Sequence, residues 1–225
     1  MDEADRLERR LNYRFRDRAL LDCALTHRSV PGDNNERLEF LGDAVLGMVV
    51  ADFLFRKHAG LTEGDLSRLR ASLVNRDALA AAALSLDLGI AMRLGPGELK
   101  SGGFRRRSVL ADALEAIIGA VYIDGGFAAA ADFIHGVLAG PFANLPDPAS
   151  LKDPKTRLQE LLQERGVGLP EYATVDVSGP AHRQVFQVAC RVPSLSLESQ
   201  ASGGSRRAAE QAAAEKILAE LSGAV

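Results

Sequence analysis

Asn35-Glu36-Arg37-Leu38-Glu39-Phe40-Leu41-Gly42-Asp43-Ala44-Val45-Leu46 decides the reading of this chain, together with Leu110-Ala111-Asp112-Ala113-Leu114-Glu115-Ala116-Ile117-Ile118-Gly119. Each stretch sets carboxylates on an otherwise apolar helical run. Glu36, Glu39 and Asp43 are three and four residues apart, which puts them within an arc of about 60° on a helix. Leu38, Leu41, Val45 and Val49 take the opposite side. Asp112 and Glu115, at i and i+3, are the only charges between Ser108 and Ile123.

Charged side chains are rarely buried unless paired or metal-bound. The run after Asp43, Ala-Val-Leu-Gly-Met-Val-Val-Ala, is apolar all round and reads as internal. Both carboxylate sets are therefore expected at the edge of a core. Two like charges about 4 Å apart repel by about 4 kcal/mol at an effective dielectric of about 20. A divalent cation removes that cost. Hard oxygen donors without histidine or cysteine favour Mg2+ or Mn2+ over zinc, and the Glu-x-x-His pairs of a di-iron bundle are missing. A solvated helix face is the competing explanation, stronger for Glu36, Glu39 and Asp43 than for the pair in the greasier helix.

At 225 residues and 47% hydrophobic, the chain has material for one or two folded domains. The charged start, Met-Asp-Glu-Ala-Asp-Arg-Leu-Glu-Arg-Arg, is unlike a signal peptide. No run of eighteen uncharged apolar residues suggests a membrane span. Cys23 and Cys190 fit no disulfide or metal spacing, so a reduced, cytoplasmic protein is expected. Net charge is −3, with 18 basic and 21 acidic residues over 1–150 and 9 of each over 151–225. Basic clusters persist locally at Arg105–Arg107, at Lys152, Lys155 and Arg157, and at Arg206-Arg207. Phosphate binding depends on such patches rather than on the total.

Residues 1–143 read as almost wholly helical, with alanine and leucine at helical spacing through Arg76–Ala91 and Phe127–Val137. Ser108 is the expected N-cap of the second carboxylate helix, and Lys100–Arg107 a flexible cationic loop before it. Pro141, Pro146, Pro148 and Pro154 mark a semi-extended connection. Beyond it come a helix at Lys155–Arg165, strands at Tyr172–Val177, Gln184–Val192 and Ser194–Gln200, and a helix at Ser205–Leu221. The expected fold is mostly α: a helical domain over 1–145, a linker at 146–153, and a small α-β-β-β-α domain over 154–225.

Asn35–Leu46 closely resembles the signature of bacterial ribonuclease III, and Ala111–Gly119 resembles that family's second acidic helix. Thr26-His27-Arg28-Ser29 and Gly95–Arg107 also match. Lys155–Glu160, Gly168–Tyr172 and Ser205–Ala213 resemble its double-stranded-RNA-binding domain. The resemblance implies a homodimeric hydrolase that cuts both strands of an RNA duplex, leaving 5′-phosphates, 3′-hydroxyls and short 3′ overhangs. It implies metal ligation by Glu39, Asp43, Asp112 and Glu115, with Asp43 and Glu115 as the catalytic pair. It makes Glu36 and Glu63 auxiliary acids and Phe40 a dimer-interface residue, for which core packing is the alternative. Gly42 and Gly47 would permit close helix approach. His27 is read as a structural hydrogen-bonder.

Mg2+, with Mn2+ able to substitute, answers the charge repulsion that protects a phosphodiester, and no small-molecule cofactor or membrane is expected. Duplex RNA is read through shape, phosphates and 2′-hydroxyls over about 16 bp. By resemblance, Thr156, Gln159 and Glu160 on the first helix and His182 in the following turn would enter successive minor grooves. Ser205, Arg206 and Arg207 would add phosphate contacts at a helix start. Glu210 stands where many such domains carry lysine, so weaker binding by the isolated domain is expected. A non-catalytic duplex-RNA-binding protein and an unrelated metal-binding helical protein are the competing readings. The filled acidic positions argue against the first, and the second domain's pattern against the other.

Overall fold

Two long helices cross at their glycines. The computed structural model describes residues 3–223, so residues 1–2 and 224–225, the outer ends of the two expected domains, lie outside the described residues. In chain order come α1 (Glu3–Leu11), α2 (Arg18–Ala24), α3 (Glu36–Lys57), α4 (Glu63–Val74), α5 (Arg76–Ser85), α6 (Leu88–Ala91), α7 (Pro96–Lys100), α8 (Arg107–Val137) and α9 (Ala139–Ala143). These are followed by α10 (Pro154–Glu164), β1 (Glu171–Ser178), β2 (Val185–Val192), β3 (Leu197–Gly203) and α11 (Arg206–Gly223). The chain divides into two compact units, Met1–Pro148 and Ala149–Val225.

In the first unit α8 is the axis, packed by α3, α5 and α2. It has the length and apolarity of a membrane span, at a mean hydropathy of 1.5. That apolarity is explained by its place: Leu110, Leu114, Ile117 and Ile118 are buried in the core, opposite Val45, Leu46, Val49 and Val50 of α3. Each such side chain contributes about 1.5–3 kcal/mol when fully buried. A Cβ on Gly42 would fall 1.7 Å from the Glu115 carbonyl oxygen, and one on Gly119 2.2 Å from that of Leu38. The helices therefore touch backbone to backbone. Gly47, expected to serve the same purpose, meets nothing within 4 Å inside this chain.

Side-chain caps set several helix starts. Asp17 accepts the Ala19 N–H, Thr62 and Asp65 form a reciprocal capping box, and Asn75 accepts the Ala78 N–H. Helix α8 departs from expectation. Its N-cap is Arg106, in extended geometry without a side-chain cap bond, and Ser108 lies inside the first turn. The expected helix over 127–137 is the end of α8, set off by Gly126 at φ 79°, which only glycine adopts without strain. The helix expected over Arg76–Ala91 breaks at Asp87, whose φ is 53°.

The segment 100–107 is not a free loop. It holds a 3-10 turn at Gly103–Arg105, and Arg106 is anchored to Glu98 at 2.7 Å and to Ser101 at 3.2 Å.

The second unit is an antiparallel sheet in the order β1-β2-β3, with Tyr172 opposite Cys190 and Cys190 opposite Ser199. Val192 and Cys190 pack against Leu158, Leu162, Ala213, Ile217 and Leu218 of the two helices. Strand β3 starts at Leu197, three residues later than expected. Pro193 has no N–H for the ladder, and Pro193–Leu195 forms a 3-10 turn closed by Ser196 at φ 51°. Pro148–Leu151, inside the expected linker, forms another 3-10 turn.

Candidate functional site

The backbone crossing at Gly42 and Gly119 turns the carboxylates of α3 toward those of α8. Carboxylate oxygens of Glu39, Asp112 and Glu115 lie within 4.8 Å of one another. Asp43, one turn beyond Glu39, lines the same cleft of about 730 Å3 but stands outside that close trio. Glu36 is at its rim, with Arg28 3.5 Å away. Among the described residues no ion pair engages Glu39, Asp112 or Glu115.

The cost of this arrangement appears in the titration of the acids. Burial, then repulsion from Asp43, Glu39 and Asp112, pushes the Glu115 carboxyl up to about 7. Glu39 is also raised, by burial and then by Asp112 and Glu36. Burial raises Asp112 against the opposing pull of Arg76, His27 and Arg28. Three half-buried carboxylates, all oxygen donors and in no ion pair among the described residues, fit a hard divalent ion.

Several cleft residues escaped the sequence reading as individuals. Glu98 and Arg106 form an ion pair at its wall, and Asn35, 2% exposed, forms part of the lining. Arg106 entered only within the basic cluster Arg105–Arg107, and Glu98 and Asn35 only as members of matching stretches. His27 has the structural role expected of it. Its Nδ1 accepts the Ser29 N–H at 3.2 Å and lies 2.8 Å from Ser29 Oγ, which accepts the Gly95 N–H.

Of the remaining expected residues, Glu63 lies elsewhere and Phe40 borders the cleft. Glu63 starts α4, accepts a hydrogen bond from Ser67 at 2.7 Å, and lines a separate hollow of about 470 Å3 with Met48, Leu54, Phe55 and Leu66. The chain does not bring it to its own acidic cleft, because α4 packs along α3 beyond the crossing. Phe40 is 81% exposed, which excludes core packing within the chain.

In the second unit, Gln159 and Glu160 are exposed on α10, with Glu160 paired to Lys152 at 2.6 Å. The Thr156 hydroxyl donates to Asp153, the N-cap of α10, at 2.9 Å, leaving its lone pairs available. His182 sits in an exposed 3-10 turn, Ala181–Arg183, between β1 and β2. Ser205 Oγ accepts the Ala208 N–H at 3.2 Å and so caps α11, where Arg206 and Arg207 are exposed. Arg206 and Lys155 both pair with Glu210.

A helical unit with a hard-oxygen cleft, followed by an α-β-β-β-α unit with basic helix starts, defines a nuclease joined to an RNA-binding module. Residues 17–141 match the family described as Ribonuclease-III-like, and residues 154–221 match the double-stranded RNA binding motif. The chain is 54% identical over 217 residues to Ribonuclease 3 of Alkalilimnicola ehrlichii, covering 96% of this chain and 95% of that one. It is 55% identical over 217 residues to Ribonuclease 3 of Aromatoleum aromaticum, covering 96% of each. The nuclease domain of ribonuclease III from Campylobacter jejuni superposes with a TM-score of 0.62 at 47% identity, covering 63% of this chain and 100% of that one. The chain belongs to the ribonuclease III family and is an endoribonuclease of that type.

Proposed function

We propose that the protein hydrolyses both strands of double-stranded RNA in a Mg2+-dependent reaction, with Mn2+ able to substitute. The products would be 5′-phosphate and 3′-hydroxyl ends with short 3′ overhangs, from ribosomal RNA precursors and other structured transcripts. The observation that carries this reading is the trio Glu39, Asp112 and Glu115, brought within 4.8 Å and, among the described residues, engaged in no ion pair. Glu39, Asp43, Asp112 and Glu115 would hold the ion, Asp43 and Glu115 being the catalytic pair, with Glu36 auxiliary. A bound divalent ion supplies activation of water, orientation of the phosphate and stabilisation of the leaving 3′ oxygen. Arg28 and Arg106 at the cleft wall offer positive charge to a phosphate entering an otherwise acidic site.

Residues 1–145 serve as catalytic and dimerisation domain, and 154–225 as the RNA-binding domain, joined through 146–153. Thr156, Gln159 and Glu160 contact 2′-hydroxyls in one minor groove and His182 the next. Ser205, Arg206 and Arg207 meet the intervening phosphates. With both cysteines free, the chain suits a reducing cytoplasm, with no membrane and no small-molecule cofactor.

The protein works as a homodimer through α3. Phe40, Ala44, Gly47, Met48, Ala51 and Phe55 share one stripe of that helix, and Phe40, Met48 and Phe55 are 81%, 62% and 72% exposed. The Campylobacter jejuni nuclease domain is described as having a region involved in dimer formation. The apolar hollow beside Met48 and Phe55 is a fitting seat for Phe40 of a partner subunit, and Glu63 on its wall would then reach the partner's cleft. Phe40→Asp is expected to give monomers in sedimentation at micromolar concentration; an unchanged dimer overturns this interface.

The test of activity is a gel assay on a perfect RNA duplex and a matching DNA duplex, with and without Mg2+. Fragments from RNA alone, and only with metal, are expected. Intact RNA with Mg2+ present overturns the proposal.

A further inference from the structure

Glu210 breaks the basic character of the second unit's helix starts, and its surroundings give it a task that charge alone does not explain. It is 8% exposed and divides its carboxylate between two cations. Oε2 accepts from Lys155 Nζ at 2.6 Å, and Oε1 from Arg206 Nε at 2.9 Å. Lys155 belongs to the first turn of α10 and Arg206 to the first turn of α11. One carboxylate thus ties together the starts of the two helices expected to face RNA.

The ammonium of Lys155 is held from another side by the Tyr172 ring, 4.3 Å from its centroid. Only Nε of Arg206 is taken by Glu210. Its terminal nitrogens belong to a side chain that remains 63% exposed. An arginine fastened at Nε presents its outer fork in a fixed direction, suited to two phosphate oxygens.

We propose that Glu210 is a positioning residue for duplex RNA: it fixes Lys155 and Arg206 before the ligand arrives. This rests on the duplex-RNA reading above. Ordering two long side chains on binding costs affinity, and ordering them in the free protein removes that cost.

The test uses the full chain, with Glu210→Ala and Glu210→Gln assayed for steady-state cleavage of an RNA duplex in Mg2+. Glu210→Ala is expected to raise KM about tenfold at unchanged kcat, the cost of ordering two freed long side chains on binding. Glu210→Gln, which keeps one acceptor oxygen, should recover part of it. Arg206→Ala should cost less in the Glu210→Ala background than in the unaltered chain.

The sign separates this from general electrostatics. Either substitution makes the net charge of −3 one unit more positive, which by itself favours RNA and lowers KM. An unchanged or lower KM in both variants overturns the proposal, as does an equal fall in kcat without a change in KM. Should Glu210→Ala fail to melt cooperatively, the KM of Glu210→Gln decides. An unaltered chain that neither binds nor cuts duplex RNA brings down the functional reading itself, a result distinct from tight binding with indifferent variants.

Discussion

Glu115 and Glu210 are both carboxylates at helix packing surfaces, and burial pushes both upward in pKa. They end on opposite sides of the ordinary range. At Glu115 repulsion from Asp43, Glu39 and Asp112 adds to burial and takes the group up to about 7. At Glu210 burial is outweighed by hydrogen bonds from Lys155 and Arg206, which hold its carboxyl below the usual range. The contrast separates a site left electrostatically incomplete from one completed by the protein. The first has a place for a cation from solution, and the second has already found its cations.

The sharpest way to break the comparison is Glu115→Gln. Cleavage should fall by about a thousandfold, matching the several kcal/mol of charge stabilisation a metal centre supplies. Duplex binding, measured by filter retention, should persist. Near-normal turnover in Mg2+ would show that the assembled carboxylates do not hold a working ion.

Gly42→Ala attacks the crossing itself. A methyl group 1.7 Å from a carbonyl oxygen must push α3 and α8 apart. A loss of about 3 kcal/mol in urea unfolding is expected, at the upper end for overpacking, with cleavage reduced beyond the loss of folded protein. Unchanged stability would mean that the helices have slack there.

Removing residues 149–225 sharpens the contrast between the units. The remaining nuclease unit should cut at about 50 mM salt and fail at about 150 mM, because affinity built on phosphate contacts falls steeply with ionic strength. Equal activity of the truncated and full chains at the higher salt would deny the second unit its role.

The smallest effect concerns stability against pH. The folded state holds a proton on Glu115 up to about 7, against an ordinary value of 4.5. Between these values the native state binds more protons than the unfolded one, so stability falls as pH rises through that window. Without metal, the melting temperature should drop by a few degrees from about pH 5 to about pH 7. Mg2+ should recover it at the upper end, where the carboxylates are ionised. Glu115→Gln should flatten the slope.

Much of this was legible beforehand because periodicity and charge placement are local properties. Carboxylates three and four residues apart share a helix face whatever the surroundings, and the α-β-β-β-α order follows from alternating patterns between turns. Misjudged details have local physical causes that depend on neighbours. Arg106, anchored by Glu98 and Ser101, starts α8 before Ser108 can cap it. A turn at Pro193–Leu195 delays β3. At Phe40, where the sequence left core packing and an interface both open, the 81% exposure excludes only core packing within the chain.

By itself the sequence determined which residues carry charge on which helix face, and that two chemically different units follow one another. Only the tertiary structure decided which of those faces meet. The crossing of two glycine backbones sets Glu39 against Asp112 and Glu115 and leaves Glu63 in another hollow, while the approach of α10 to α11 brings Lys155 to a Glu210 already paired with Arg206 one turn away. The reason is distance. Electrostatic and metal-binding chemistry acts over a few ångströms between groups far apart in the chain, and no local pattern records those separations.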